Sequence, residues 1–102
     1  MEPDGESTTG DVIDRLEHVL RDRRATRPEG SYSVRLFDDR ELVQRKVMEE
    51  AFETCLELGR DPVNRERLVE EAADLVYHLL AGLVDAEVSF AEVRAELDRR
   101  RS

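Results

Sequence analysis

Lysine is almost missing from this chain: Lys46 is the only one, and the other basic residues are arginines. Cysteine is as scarce. The single thiol, Cys55, excludes an intrachain disulfide and any multi-cysteine zinc site. No apolar run approaches the roughly 20 residues that a membrane span needs. Residues 1–10 are polar and acidic, unlike the apolar centre of a secretory signal, so the expected compartment is the cytoplasm. Positive charge is also in deficit. Against 16 basic residues stand 25 acidic ones, a net charge of −9, which argues against partners such as nucleic acid or a membrane surface. No alternating strand pattern and no internal repeat is present.

What remains is helical periodicity. The 102 residues suffice for one domain and one core, burying roughly 60–70% of the unfolded surface; a helical chain of this size could equally be half of a dimer. Residues 1–8 lack apolar content, and a disordered tail is expected over 1–10, with the domain over 11–102. Val12, Ile13, Leu16, Val19 and Leu20 predict a first helix from about Asp11 to Arg24, with Thr8 and Asp11 spaced as a capping box. A turn-rich connection follows, marked by Pro28 and Gly30, and Val34–Phe37 reads as irregular structure or a helical turn. A second helix is predicted from Arg40 to Leu58, with Gly59 as its C′ residue. Asp61-Pro62 suits a helix start, and a third, very apolar helix should run from Arg65 to Asp85. Ser89 with Glu92 is a capping-box signature for a fourth, Phe90 to Arg100. The expected fold is all-α, a bundle of about four helices.

Two acidic clusters stand out: Lys46-x-x-Glu49-Glu50-x-x-Glu53 in the second helix and Glu70-Glu71-x-x-Asp74 in the third. Carboxylates three and four residues apart share a helix face. Two such helices side by side would gather oxygen ligands for a hard divalent cation, Mg²⁺ or Mn²⁺ rather than zinc or copper. On a helical wheel, Val43, Val47, Met48, Ala51, Phe52, Cys55 and Leu58 form one broad apolar face of the second helix, and the acidic stripe, Glu57 included, lies largely opposite. Taken alone, that stripe reads as a solvated face, with Lys46 and Glu50 an i,i+4 pair and Cys55 inert packing. The third helix reads differently. Apolar residues nearly encircle it, so it should be buried in the bundle or at a dimer interface, yet Glu71, Asp74, His78 and Asp85 form one narrow polar stripe. Charges on a buried helix require partners or a metal.

These residues resemble the phosphoribosyl-ATP pyrophosphohydrolase family of histidine biosynthesis, within the all-α, MazG-like nucleotide pyrophosphohydrolase group. The group pattern Glu-Glu-x-x-Glu, spacer, Glu-x-x-Asp matches Glu49-Glu50-x-x-Glu53 and Glu71-x-x-Asp74. Four blocks in order carry the narrower match: RPEGSYSVRLF (27–37), RKVMEEAFE (45–53), RERLVEEAADLVYHLL (65–80) and VSFAEVRAEL (88–97). Met48 departs from a usual small residue, Arg45 from a common lysine, and residues 38–44 lack the usual glycine. Arg45 keeps the charge while changing the geometry of a phosphate contact.

The resemblance implies hydrolysis of phosphoribosyl-ATP to phosphoribosyl-AMP and pyrophosphate, dependence on Mg²⁺, and a homodimer. It implies Glu50, Glu53, Glu71 and Asp74 as metal ligands. Glu49 is the candidate to orient or deprotonate the attacking water, and Lys46 and Arg45 are candidates for phosphate contacts. Ser31 and Tyr32, in the approach loop, and His78, at the edge of the site, are further candidates for contact with substrate. Two other readings stay open: a MazG-like enzyme that clears non-standard nucleoside triphosphates, and a non-enzymatic helical module that dimerises through its third helix.

Overall fold

The computed structural model describes residues 9–101, with side chains from residue 12 onward. Among them the chain forms five helices and no strand: α1 (Thr9–Thr26), α2 (Tyr32–Asp38), α3 (Arg40–Leu58), α4 (Arg65–Asp85) and α5 (Phe90–Arg100). The all-α expectation holds, with one helix more than the four expected. α1 begins two residues inside the stretch expected as tail; the rest of that tail and the Thr8–Asp11 capping box fall outside the described residues.

The helix ends follow from local chemistry. α1 stops where Arg27 turns into the left-handed region at φ 53°, next to Pro28. Gly30, at φ 82°, then makes a turn that a side chain would strain, and leads into α2. The Asp39 side chain accepts from the Leu42 N–H at 3.1 Å and starts α3. Asn64 does the same for α4 through the Arg67 N–H, so the cap is Asn64 and Asp61-Pro62 lies in the loop before it. Gly59 ends α3 in a right-handed conformation, φ −87°, and does not use the left-handed freedom expected of a C′ glycine. Ser89 and Glu92 complete the capping box at the start of α5.

The dominant packing is an antiparallel α3–α4 hairpin. Its register is visible in three pairs that run in opposite directions along the two helices: Val43 with Gly82, Glu50 with His78, and Glu57 with Arg67. A β-carbon on Gly82 would stand 3.1 Å from a Val43 methyl, so the two backbones approach closely there. α1 and α2 lie across this hairpin, and α5 returns to α1. Leu20, Leu36, Val43, Leu80, Ala81 and Val84 form the buried core, flanked by Ile13, Leu16, Phe37 and Phe90. No helix among the described residues is long and apolar enough to cross a membrane.

The wheel drawn for α3 is corrected by this packing. Its buried positions are Val43, Glu50 and Glu57, spaced by seven, whereas Met48, Phe52, Cys55 and Leu58 are exposed in the single chain. The hairpin turns an acidic edge inwards because α4 and the linker supply partners for it. α4 is likewise less enclosed than expected: Val69, Val76 and Leu79 remain exposed.

Candidate active site

The carboxylates predicted as a cluster lie on the facing sides of α3 and α4. Glu53 and Glu71 meet across the hairpin, and Asp74 is close enough to Glu71 to repel it. Desolvation first, then the hydrogen bond and like charge of Glu53, hold the Glu71 carboxyl above its ordinary pKa; Asp74 adds to this and Arg67 opposes it. Glu50, one turn before Glu53, is buried and engaged: its Oε1 lies 2.6 Å from His78 Nδ1. Among the described residues no three Asp, Glu, His or Cys side chains yet converge on a common point. The donor set is nevertheless all-oxygen, and it holds like charges together, which a hard cation would relieve.

The remaining candidates divide into two groups. Tyr32 comes to the hairpin from the N-terminus of α2, where its hydroxyl is 2.8 Å from His78 Nε2. Its ring lies beside that of Tyr77, 6.4 Å between centroids, and under the Arg35 guanidinium. Ser31 caps the same helix by backbone position, with its hydroxyl 2.8 Å from that of Ser33. His78 is buried, and its ring nitrogens face Glu50 and Tyr32 inside the fold. Glu49, Lys46 and Arg45 form the outward group. Lys46 pairs loosely with Glu49 at 3.9 Å, not with Glu50, and Glu49 and Arg45 are exposed. Arg45 lies five residues before Glu50, about 140° away around the helix, but within about 80° of Glu53 and about 40° of Glu49.

Glu57 and Arg67 were not singled out from sequence. Glu57 was placed on a solvated stripe, but it is buried and receives Arg60 at 3.0 Å and Arg67 at 3.8 Å. Arg67 also reaches Glu71 at 3.4 Å, so one guanidinium joins the buried Glu57 to the carboxylate group. The seven-residue spacing of Val43, Glu50 and Glu57 was the available signal. Asp85, the last member of the α4 polar stripe, binds Arg24 and Arg40 at 3.2 Å each. It lines a cleft of about 440 Å³ with Arg21, Arg24 and Arg27, which shares no residue with the carboxylate group. Those arginines are paired with Glu17, Asp85 and Asp38.

Comparison with known proteins gives a consistent answer. Residues 13–101 match the model of a family described as phosphoribosyl-ATP pyrophosphohydrolase. A phosphoribosyl-ATP pyrophosphatase of Haloarcula marismortui is 44% identical over 96 residues, covering 91% of this chain and 96% of the relative. One from Saccharolobus islandicus is 38% identical, with 91% and 98% covered. The histidine biosynthesis bifunctional protein HisIE of Pyrococcus furiosus is 41% identical over 88% of this chain, which spans 41% of that longer protein.

Proposed function

Because the chain belongs to the phosphoribosyl-ATP pyrophosphohydrolase family, we propose that its α3–α4 hairpin is the catalytic element of that enzyme. The reaction is hydrolysis of phosphoribosyl-ATP to phosphoribosyl-AMP and pyrophosphate, a step of histidine biosynthesis. The observation that carries the site assignment is the meeting of Glu53 and Glu71 across the hairpin, with Asp74 beside them and Glu50 one turn away.

Glu50, Glu53, Glu71 and Asp74 would hold Mg²⁺, with Mn²⁺ as a substitute. The bound ion supplies charge neutralisation at the polyphosphate and a water of lowered pKa. The chain's own residues do the rest. Glu49, exposed beside Lys46, orients the attacking water or takes its proton. Lys46 neutralises a phosphate oxygen, and Arg45, about 40° from Glu49 around α3, is a second cation for the polyphosphate. Ser31 and Tyr32, at the start of α2, line the approach of the ribosyl-nucleotide.

A second copy of the chain completes the molecule in this reading. The radius of gyration is 15.4 Å, against about 13 Å for a compact domain of this length. Met48, Phe52 and Leu56 leave an apolar stripe on α3 opposite Glu50. Ile13, Val76, Leu79, Phe90, Val93 and Leu97 line a groove of about 540 Å³. These two apolar faces are the proposed interface, and sedimentation equilibrium is expected to return twice the chain mass. A cytoplasmic location follows from the biosynthetic role.

Incubation with phosphoribosyl-ATP and with a panel of deoxynucleoside triphosphates tests the substrate. Pyrophosphate release from phosphoribosyl-ATP is expected. Release only from the deoxynucleotides would transfer the chain to the house-cleaning branch of the wider group, and release from neither would leave a non-enzymatic helical module.

A further inference from the structure

His78 is a buried titratable side chain that the reaction as described does not use, and its surroundings give it a definite task. The ring sits between three helices. It is carried by α4, faces α3 at Glu50, and backs onto α2 at Tyr32. Nδ1 lies 2.6 Å from Glu50 Oε1 and 3.0 Å from the Asp74 carbonyl oxygen. Both partners are acceptors, a carboxylate oxygen and a backbone carbonyl, so Nδ1 carries a hydrogen. In the neutral ring Nε2 then accepts, and the Tyr32 hydroxyl, 2.8 Å away, donates to it. The two acceptors at Nδ1 thus set the tautomer, Tyr32 satisfies Nε2, the Asp74 carbonyl fixes the ring to its own helix, and the Nδ1 hydrogen is aimed at one oxygen of Glu50.

We propose that His78 is a positioning residue that holds Oε1 of Glu50 and so aims Oε2 at the cation. Tyr32, from the approach segment, satisfies the outer nitrogen of the ring. The inference rests on the reading of Glu50 as a metal ligand given above. Its physical basis is that a hydrogen bond to a ligating group fixes that group's orientation, and losing such a partner typically weakens metal binding by about 10–100-fold. The geometry also ties the approach helix to the carboxylate group through one ring, because Tyr32 and Glu50 both bond to His78.

Two conservative variants separate this from simple packing. The amide nitrogen of Asn overlays Nδ1 of histidine, and that of Gln overlays Nε2. His78→Asn therefore keeps a donor towards Glu50 and loses the Tyr32 partner, whereas His78→Gln keeps the outer partner and loses the donor. Mn²⁺ affinity is read by electron paramagnetic resonance on the full chain, with circular dichroism as the check on folding. His78→Gln is expected to bind Mn²⁺ about 10–100-fold more weakly than the wild type, and His78→Asn within a few-fold of it. In the metal-free wild type, long-range ¹⁵N spectra are expected to show hydrogen on Nδ1, and the same in Tyr32→Phe, which leaves both Nδ1 acceptors in place. Equal affinities for Asn and Gln, or hydrogen on Nε2, would overturn the positioning role while leaving the metal site intact. A wild type that binds no Mn²⁺ would overturn the metal reading itself, and this inference with it.

Discussion

Replacing His78 with leucine removes the donor that Glu50 faces inside the hairpin. The two side chains are 8% and 9% exposed, so water does not readily take the donor's place. A hydrogen bond to an ionised group contributes about 1.5–3 kcal/mol, and a buried charged partner left without one costs at least as much. Losing the Tyr32 bond adds little, because that tyrosine is 38% exposed. We expect His78→Leu to cost about 2–3 kcal/mol in the metal-free protein, a large share of the roughly 5–15 kcal/mol that holds a domain together. Glu50→Met is milder, about 1 kcal/mol, since the Nδ1 hydrogen keeps the Asp74 carbonyl. The double variant removes both groups at once and should cost little more than Glu50→Met alone, leaving a coupling of about 2 kcal/mol. Urea unfolding of the four proteins in EDTA measures the cycle, and the single His78→Leu variant should melt roughly 10 °C or more below the wild type. A coupling below about 0.5 kcal/mol, the scatter found between independent sites, would refute the claim that these two side chains interact.

The raised pKa of Glu71 means that its folded form favours the proton. Its contribution to stability is fully present below the unfolded value of 4.5 and is lost as pH rises through the folded value. In EDTA, Glu71→Gln should therefore melt above the wild type at pH 7, with the two curves converging as pH falls to about 4; a lower melting point at pH 7 would contradict this. Glu17 has the opposite sign. The Arg21 guanidinium and then the Phe90 N–H at 3.1 Å, working against desolvation, lower its pKa and tie α1 to the start of α5. Its contribution is present above the unfolded value and lost as pH falls through the folded one, so Glu17→Gln should cost about 1 kcal/mol at neutral pH and progressively less in acid. Leu36, fully buried, anchors α2 to its neighbours. Leu36→Ala should cost about 2–5 kcal/mol by urea unfolding, and because α2 carries Tyr32 it should also raise KM.

The extents of α3, α4 and α5 were legible from their periodicity and, for α5, from its Ser89–Glu92 box, whereas the Asp39 and Asn64 caps emerge only in the structure, with Asp61-Pro62 left in the loop before α4. α2 was not. A seven-residue helix has too little propensity to announce itself, and it is held by burial of Ser33 and Leu36, which only the packed structure reveals. The site shows the same division. The spacing of Glu49, Glu50, Glu53, Glu71 and Asp74 was readable, as was the narrow polar stripe of α4. Which side of α3 faces inwards was not, because hydrophobicity favours the side with Met48, Phe52 and Cys55. That choice depends on Arg67, Arg60 and His78, partners distant in sequence or in the linker, which make burial of Glu50 and Glu57 tolerable. The outward apolar side then remains for another surface to cover.

If the facing carboxylates of α3 and α4 serve hydrolysis, removing their charge abolishes turnover, and this is the central claim. The most direct measurement is pyrophosphate release from phosphoribosyl-ATP in excess Mg²⁺ by the wild type, Glu53→Gln and Asp74→Asn, with each variant's fold checked by circular dichroism. The wild type should release one pyrophosphate per phosphoribosyl-AMP and stop on addition of EDTA, while both variants remain folded and fall to background. Folded variants that turn over at the wild-type rate would contradict it.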